Sequence, residues 1–187
     1  MMVSFHFVYD LDYFGVRASD LDSGFWMVFA RATAAVFILL AGLSLTLSFW
    51  RASKTFSPLE LRLKFVRRGV RIFLWGMFIT LATLVLLKEE AILFGVLHLI
   101  GVSIVLAYPL IGYRLANLIL GLVLIAAGIY VQGVDAASGW FLWLGLAPAG
   151  FHTLDYFPLL PWFGVILLWL FFWEHILHKR PEEASGS

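Results

Sequence analysis

Three side chains near the start of the chain have the spacing of a small catalytic group. His6, Asp10 and Tyr13 are separated by four and three residues, so a helix places them on one face. A histidine beside a carboxylate can take a proton from an attacking hydroxyl or amine as a general base. The sequence therefore predicts His6 as the catalytic base and Asp10 as the residue that orients it. The alternative is a solvated pair at a helix end.

Five other residues are candidates for binding the substrate. Arginine can hold a carboxylate or a phosphate through two parallel hydrogen bonds. An ionisable group beside a membrane span usually has a partner and a function. On these grounds we predict substrate contacts from Arg31, His98, Asp155, Tyr156 and Trp162.

Several of these residues also have a purely structural interpretation. Arg31 could extend its guanidinium to the lipid headgroups. His98 could be a core histidine that is bonded to a carbonyl oxygen. Asp155 could cap the helix that is expected to begin near Pro158. Trp162 could belong to an aromatic belt at the membrane surface.

The amino-acid composition indicates the class of protein to which these residues belong. The chain has 187 residues, of which 62% are hydrophobic and only 13% are charged. Soluble domains are about half apolar and about a quarter charged, so the sequence predicts an integral membrane protein. It contains no cysteine, which excludes disulfides, thiolate nucleophiles and thiolate metal sites. Neither a metal-ligand spacing, nor a phosphate-binding glycine loop, nor a nucleic-acid motif occurs in the sequence.

The apolar stretches predict an all-α bundle of about six transmembrane helices. A span needs about 20 apolar residues, and residues 1–14 predict a first helix that is too short. The full spans are expected at roughly Phe25–Trp50, Val70–Leu87, Ala91–Gly112, Leu115–Val131 and Pro158–Leu177. We expect a single transmembrane domain over 1–180 and a disordered polar tail over 181–187.

Two further segments are expected outside the spans. Ser57, Pro58 and Glu60 have the spacing of a helix start, so residues 52–69 predict an amphipathic helix on the cytoplasmic surface, facing anionic lipid. Residues 140–150 are apolar but short and broken by glycine and proline. They predict an interfacial or re-entrant segment at the outer mouth of the bundle.

The charges predict one orientation for all the loops. Basic residues concentrate between 51 and 71, at Arg114 and at 179–180, whereas acidic residues lie at 20–22, 89–90 and Asp135. Short basic loops stay in the cytoplasm, so the C-terminus is predicted to be cytoplasmic and nucleic-acid binding is not expected. This orientation places the candidate residues in the outer half of the bilayer, where we expect one polar site.

The sequence resembles a known family in four segments. It is similar to a prokaryotic family of membrane proteins that is grouped with the catalytic domain of heparan-alpha-glucosaminide N-acetyltransferase. The segments are Phe5-His6-Phe7-Val8-Tyr9-Asp10-Leu11, Arg67-Arg68-Gly69, Phe94-Gly95-Val96-Leu97-His98-Leu99-Ile100-Gly101 and Asp155-Tyr156-Phe157-Pro158-Leu159-Leu160-Pro161-Trp162-Phe163-Gly164.

The resemblance implies a transmembrane acyltransferase in the cytoplasmic membrane of an archaeon or bacterium. It implies acetyl-coenzyme A as the acetyl donor and a sugar or lipid-linked acceptor, with His6 in the region of the family's catalytic histidine. Membrane lipids are expected partners, and a homo-oligomer is left open. The alternative is a transporter or a lipid- or solute-binding protein that uses the same cavity without chemistry. A structural membrane protein without a catalytic cycle is the third interpretation.

Overall fold

The computed structural model describes residues 24–86, 91–133, 139–151, 153 and 155–184, except for the side chains of residues 26, 27, 30, 31 and 177–184. Within these residues there are five α-helices: α1 (Gly24–Ala52), α2 (Pro58–Leu86), α3 (Val96–Ala107), α4 (Arg114–Val131) and α5 (Leu159–Ala184). Two 3-10 helices, Tyr108–Leu110 and Gly139–Leu144, lie in the connections. The predicted short first helix lies outside the described residues.

The chain divides into two compact units, Met1–Leu40 and Ala41–Ser187. The described part of the first unit is the N-terminal part of α1. The second unit contains the rest of α1 and the other four helices. Helix α5 includes residues 181–184, which were expected to belong to the polar tail.

Among the described residues, four helical segments are long and apolar enough to cross a membrane: Ala32–Ala52, Pro58–Leu86, Arg114–Val131 and Leu159–Ile176. Many of their large apolar side chains lie outside the packed interior, for example Leu74, Phe78 and Ile129. Contiguous apolar surface of this kind is unfavourable in water and favourable against lipid. The structure therefore supports the prediction of an all-α integral membrane protein.

Two predicted elements differ from the observed ones. The span expected over 91–112 is an α-helix of twelve residues that is followed by a 3-10 turn, because residues 91–95 are not helical. The basic stretch expected to form a separate surface helix is the first part of α2, which continues without a break to Leu86. Residues 139–144 form a short 3-10 helix, and its position relative to the bilayer stays a prediction.

The start of α2 follows the predicted capping pattern. The Ser57 N–H donates to the Glu60 carboxylate at 2.8 Å. In return the Glu60 N–H approaches Ser57 Oγ at 3.5 Å. This reciprocal arrangement satisfies two amides that lack partners inside the helix, and it places Pro58 at the first helical position, where no N–H is needed.

Glycines let neighbouring helices touch through their backbones. In the α2–α3 pair, a Cβ added to Gly69 would lie 2.6 Å from the Gly101 carbonyl oxygen, and one added to Gly101 would lie 2.7 Å from the Phe73 nitrogen. In the α4–α5 pair, Gly121 and Gly164 face each other in the same way. Small residues at helix crossings are the usual means of close packing in membranes.

A buried carboxylate joins α5 to the turn between α3 and α4. Glu174 lies in the C-terminal part of α5, and only 8% of its surface is exposed. Its Oε1 accepts from the Gly112 N–H at 2.7 Å, and its Oε2 accepts from Asn117 at 3.5 Å. Arg114 also donates to Nδ1 of His175 at 2.6 Å. Hydrogen bonds therefore link the C-terminal part of α5 to the turn before α4 and to the start of α4. We call this end of the bundle, where α2 and α4 begin and α5 ends, the basic end.

Candidate functional site

The structure describes only part of the predicted site. His6 and Asp10 lie outside the described residues. Arg31 belongs to α1, but its side chain also lies outside the description. The expectation that all the candidate residues share one cavity therefore stays a prediction. The other four candidates, His98, Asp155, Tyr156 and Trp162, belong to the second unit and can be placed.

Two extended segments meet where α3 and α5 begin. The Phe157 N–H donates to the Phe94 carbonyl at 3.0 Å, and Phe94 and Tyr156 form a parallel bridge. Thr153 adds a hydrogen bond from its hydroxyl to the Ala91 carbonyl at 2.7 Å. These bonds satisfy backbone groups that helices α3 and α5 leave without partners. They hold the residues before α5 against the residues before α3.

Asp155 caps α3. Its Oδ2 accepts from the Val96 N–H at 3.0 Å, and Val96 is the first residue of that helix. A carboxylate at this point pairs an amide without an intrahelical partner and also interacts favourably with the helix dipole. The cap predicted for the helix near Pro158 is thus found on a different helix, 59 residues earlier in the chain.

His98 reaches back to the start of its own helix. Its Nδ1 accepts from the Gly95 N–H at 3.3 Å, so in the neutral ring the proton lies on Nε2. Nε2 is 3.5 Å from the hydroxyl oxygen of Thr80, whose own proton is donated to the Ile92 carbonyl at 2.6 Å. The acceptor Nδ1 therefore faces a donor, and the protonated Nε2 faces an acceptor.

The imidazole of His98 is enclosed as well as hydrogen-bonded. Phe94 stacks on it at 5.4 Å between ring centroids, and Phe73 meets it edge-on at 5.2 Å. Gly76 of α2 allows the ring to fit, because an added Cβ would lie 3.0 Å from the ring atoms. Only 2% of the residue is exposed. In this arrangement His98 fixes the junction of α2 and α3, and its predicted contact with substrate stays a prediction.

The two glycines that flank His98 have different neighbours. Gly101 lies against the backbone of α2, as expected for a close helix contact. Gly95 lies against the Asp155 carboxylate, which occupies the space that a side chain at position 95 would need. Of the two glycines, Gly101 therefore marks a close helix contact, and Gly95 makes room for the Asp155 carboxylate.

Tyr156 connects this region to the 3-10 helix Gly139–Leu144. Its hydroxyl donates to the Leu142 carbonyl at 2.7 Å, and its ring packs edge-on against Phe151. Burial raises the pKa of the Tyr156 phenol, so the hydroxyl stays protonated as a donor at neutral and mildly alkaline pH. Trp162 is half-buried in α5, with its ring 5.1 Å from that of Phe157.

We define the His98–Asp155 cluster as the side chains of Thr80, His98, Thr153, Asp155 and Tyr156. Thr80 and Thr153 were not among the site residues predicted from the sequence. Thr80 had a usable signal, since it lies four residues after Gly76 and eleven after Gly69, on the face where a second helix can approach. Thr153 had none, because its partner is a backbone carbonyl 62 residues away.

Replacing Tyr156 with phenylalanine should loosen the 3-10 helix without unfolding the bundle. The change removes the hydroxyl that pairs the Leu142 carbonyl, at an expected cost of about 1 kcal/mol. Hydrogen–deuterium exchange of the amides in 139–146 should become faster, because this segment loses its bond to Tyr156. Tyr130→Phe, a change at an exposed tyrosine, is the matched control. Unchanged exchange in Tyr156→Phe would show that the bond does not hold the segment.

One known family matches nearly the whole chain. The family described as "Heparan-alpha-glucosaminide N-acetyltransferase, catalytic" matches residues 1–186. No curated protein and no solved structure matches the chain. The matched range contains His6 and Asp10 as well as the whole His98–Asp155 cluster. The chain therefore belongs to the heparan-alpha-glucosaminide N-acetyltransferase catalytic family.

Proposed function

We propose that this protein is a membrane-embedded acetyltransferase that acts on a sugar or lipid-linked acceptor in the outer half of the bilayer. The observation that carries the proposal is the family match over residues 1–186, which points to acyl transfer in general. The apolar helices support a reaction within the membrane. The chemistry of the candidate residues supports the same class of reaction, because it combines a potential base with groups that can orient polar substrates.

His6 is the proposed general base and Asp10 is its orienting partner. In the proposed step, a neutral His6 takes the proton of an acceptor hydroxyl or amine as that atom attacks the carbonyl carbon of the acetyl thioester. The new bond to the acetyl carbon forms and the carbon–sulfur bond breaks. The coenzyme A thiolate leaves, and the proton can pass from His6 to it. Asp10 would hold the imidazole in the tautomer that accepts the proton.

The His98–Asp155 cluster is proposed to form a fixed wall beside this reaction. Asp155 and His98 both bond to the amides at the start of α3, so they hold that helix end in one position. Tyr156 precedes α5 and Trp162 lies in its first turn. Both are proposed to contact the acceptor. Arg31 is proposed to bind an acidic or phosphate group of a substrate. Precise positioning of this kind can account for large rate effects in transfer reactions.

Acetyl-coenzyme A is the proposed donor, and it supplies an activated thioester. Its phosphates are anionic, so they need basic or amide-rich surroundings. The segments 91–96, 153 and 155–157 contain no lysine or arginine, whereas α2 carries Arg62, Arg67 and Arg71 near its start. The basic end of the bundle thus fits the nucleotide part of the donor better than the His98–Asp155 cluster does. We propose a cytoplasmic membrane location with the basic end and the C-terminus in the cytoplasm.

A transfer assay tests this function directly. The full chain, purified and inserted into liposomes, is given acetyl-coenzyme A with an isotopically labelled acetyl group and a panel of amino sugars and lipid-linked sugars. Protein-dependent gain of one acetyl mass on an acceptor is the expected result. The absence of transfer to every acceptor, together with the absence of acetyl-coenzyme A binding, would overturn the proposal. Uptake of a solute with unchanged mass would favour the transporter interpretation instead.

A further inference from the structure

An apolar groove opens beside the crossing of α2 and α3. It has a volume of about 230 Å³. Gly69, Val70 and Phe73 form one wall, and Val102, Val105 and Leu106 form the other. Val70 is 47% exposed and Leu106 is 41% exposed, so the groove is open along its length rather than sealed inside the bundle.

The groove follows from the glycine contact described above. Gly69 and Gly101 bring the two backbones together, while the larger side chains on either side of the crossing remain apart. The space between those side chains is lined by hydrocarbon. The walls of the groove offer almost no polar group that could hold an ordered water. The groove lies close to the middle of the 29-residue helix α2, which is long and apolar enough to cross a membrane.

Positive charge lies on the same helix face, toward the start of α2. Arg62 is exposed and precedes Gly69 by seven residues, which is nearly two full helical turns. The two residues therefore share a face and are about 10 Å apart along the helix axis. Arg71 is also exposed, but it follows Gly69 by two residues and lies on the opposite side of α2.

We propose that the groove binds one hydrocarbon chain of an anionic phospholipid, with the phosphate of that lipid held at Arg62. The groove offers contacts to hydrocarbon only, and the arginine offers a partner for a phosphate at the level where the headgroups of that leaflet lie. The combination fits a lipid of the leaflet that faces the basic end of the bundle. Lipid binding is measured without acetyl-coenzyme A, so the site can be tested whether or not the protein transfers acetyl groups.

Filling the groove tests the hydrocarbon part of the site. The full chain is purified in detergent, mixed with phosphatidylglycerol or with phosphatidylcholine of the same chain length, and examined by native mass spectrometry. Val70→Trp should lower the amount of bound phosphatidylglycerol by about tenfold, because the indole occupies the groove. Val85→Trp is the matched control, since Val85 is an exposed valine of the same helix outside the groove.

Removing one charge tests the headgroup part of the site. Arg62→Gln should reduce the preference for phosphatidylglycerol over phosphatidylcholine by about fivefold, which is the effect of one basic residue near anionic lipid. Arg71→Gln makes the same change in net charge on the other side of α2 and should leave the preference unchanged. Equal losses in the two arginine variants would show a general charge effect and would overturn the proposed headgroup position.

Two further results would overturn the proposal. Val70→Trp could retain as much phosphatidylglycerol as the unchanged protein, which would mean that the lipid binds elsewhere. Alternatively, Val70→Trp could dissociate a dimer that is seen by cross-linking in liposomes, with no change in lipid binding, and the groove would then be a contact between two copies of this chain. Circular dichroism of each variant shows that the helices have formed, so that loss of lipid is not caused by misfolding.

Discussion

Replacing His6 with alanine is expected to lower the rate of acetyl transfer by about 10²- to 10⁴-fold, which is the usual contribution of a general base. Without the imidazole, the acceptor hydroxyl or amine must lose its proton to water while it attacks the thioester. The loss should appear mainly in kcat, because His6 is proposed to act on the reacting proton and to add little to ground-state binding. The measurement is the rate of label transfer from acetyl-coenzyme A in liposomes.

Two variants make this result specific to His6. His175→Ala removes a histidine that bonds to Arg114 near the C-terminal end of α5, and its rate should stay within about twofold of the unchanged protein once the rate is corrected for folded protein. Asp10→Asn keeps the size of the orienting side chain but removes its charge, so its rate should fall less than that of His6→Ala. A His6→Ala protein that transfers acetyl groups at the original rate would rule out His6 as the base.

Replacing Gly101 with alanine should destabilise the bundle by about 1–3 kcal/mol, the usual cost of overpacking a close contact. In an open part of a helix, the same change would be stabilising by up to about 1 kcal/mol. Here the new methyl group would lie 2.7 Å from the Phe73 nitrogen and 2.8 Å from the Gly69 carbonyl oxygen. Because both neighbours are backbone atoms, neither can rotate away, and α2 and α3 must separate.

The midpoint of unfolding in detergent measures this effect. Gly133→Ala is the matched control, because the nearest atom to its new methyl group would be the Tyr130 carbonyl oxygen at 3.5 Å, an ordinary contact. Its midpoint should stay close to that of the unchanged protein. If Gly101→Ala unfolded at the same midpoint as Gly133→Ala, the close crossing of α2 and α3 would not contribute to stability. The enclosure of His98 between these helices would then need another explanation.

Local patterns in the sequence predicted those parts of the fold that depend on neighbouring residues. The apolar length of the four spanning helices follows from hydropathy alone. The start of α2 follows from Ser57, Pro58 and Glu60, which interact over three residues. The contact at Gly101 also follows from local spacing, because a glycine in an apolar helix marks a place where another backbone can approach.

The candidate site depends on pairings that are distant in sequence, and these were harder to predict. Aspartate commonly caps the helix that follows it, but the N–H that Asp155 accepts belongs to Val96. That pairing arises because residues 153 and 155–157 lie alongside residues 91–95, and hydropathy does not encode this contact. The helix expected over 91–112 is shortened for the same reason, since residues 91–95 bond to a distant segment instead of continuing the helix.

Burial also changed the interpretation of two ionisable residues. The sequence shows that His98 lies within an apolar stretch, but it does not show that both ring nitrogens face groups on α2 and α3. Glu174 lies shortly before Lys179 and Arg180 in the sequence, and such a position by itself favours an interfacial carboxylate. Its actual burial depends on Gly112 and Asn117, which precede it by 62 and 57 residues. Such a partner can be found only when the packing of α4 against α5 is known.

The bonds of Glu174 also have a consequence for the order in which the protein matures. Gly112 and Asn117 are synthesised and inserted well before the residue that satisfies them, which follows 62 residues after Gly112. Until Glu174 arrives, the turn between α3 and α4 must bond its amides to water or to lipid headgroups, which stabilises this turn near the membrane surface. The insertion of α5 is therefore the step that supplies the protein partner of these amides and completes the hydrogen bonding of the turn.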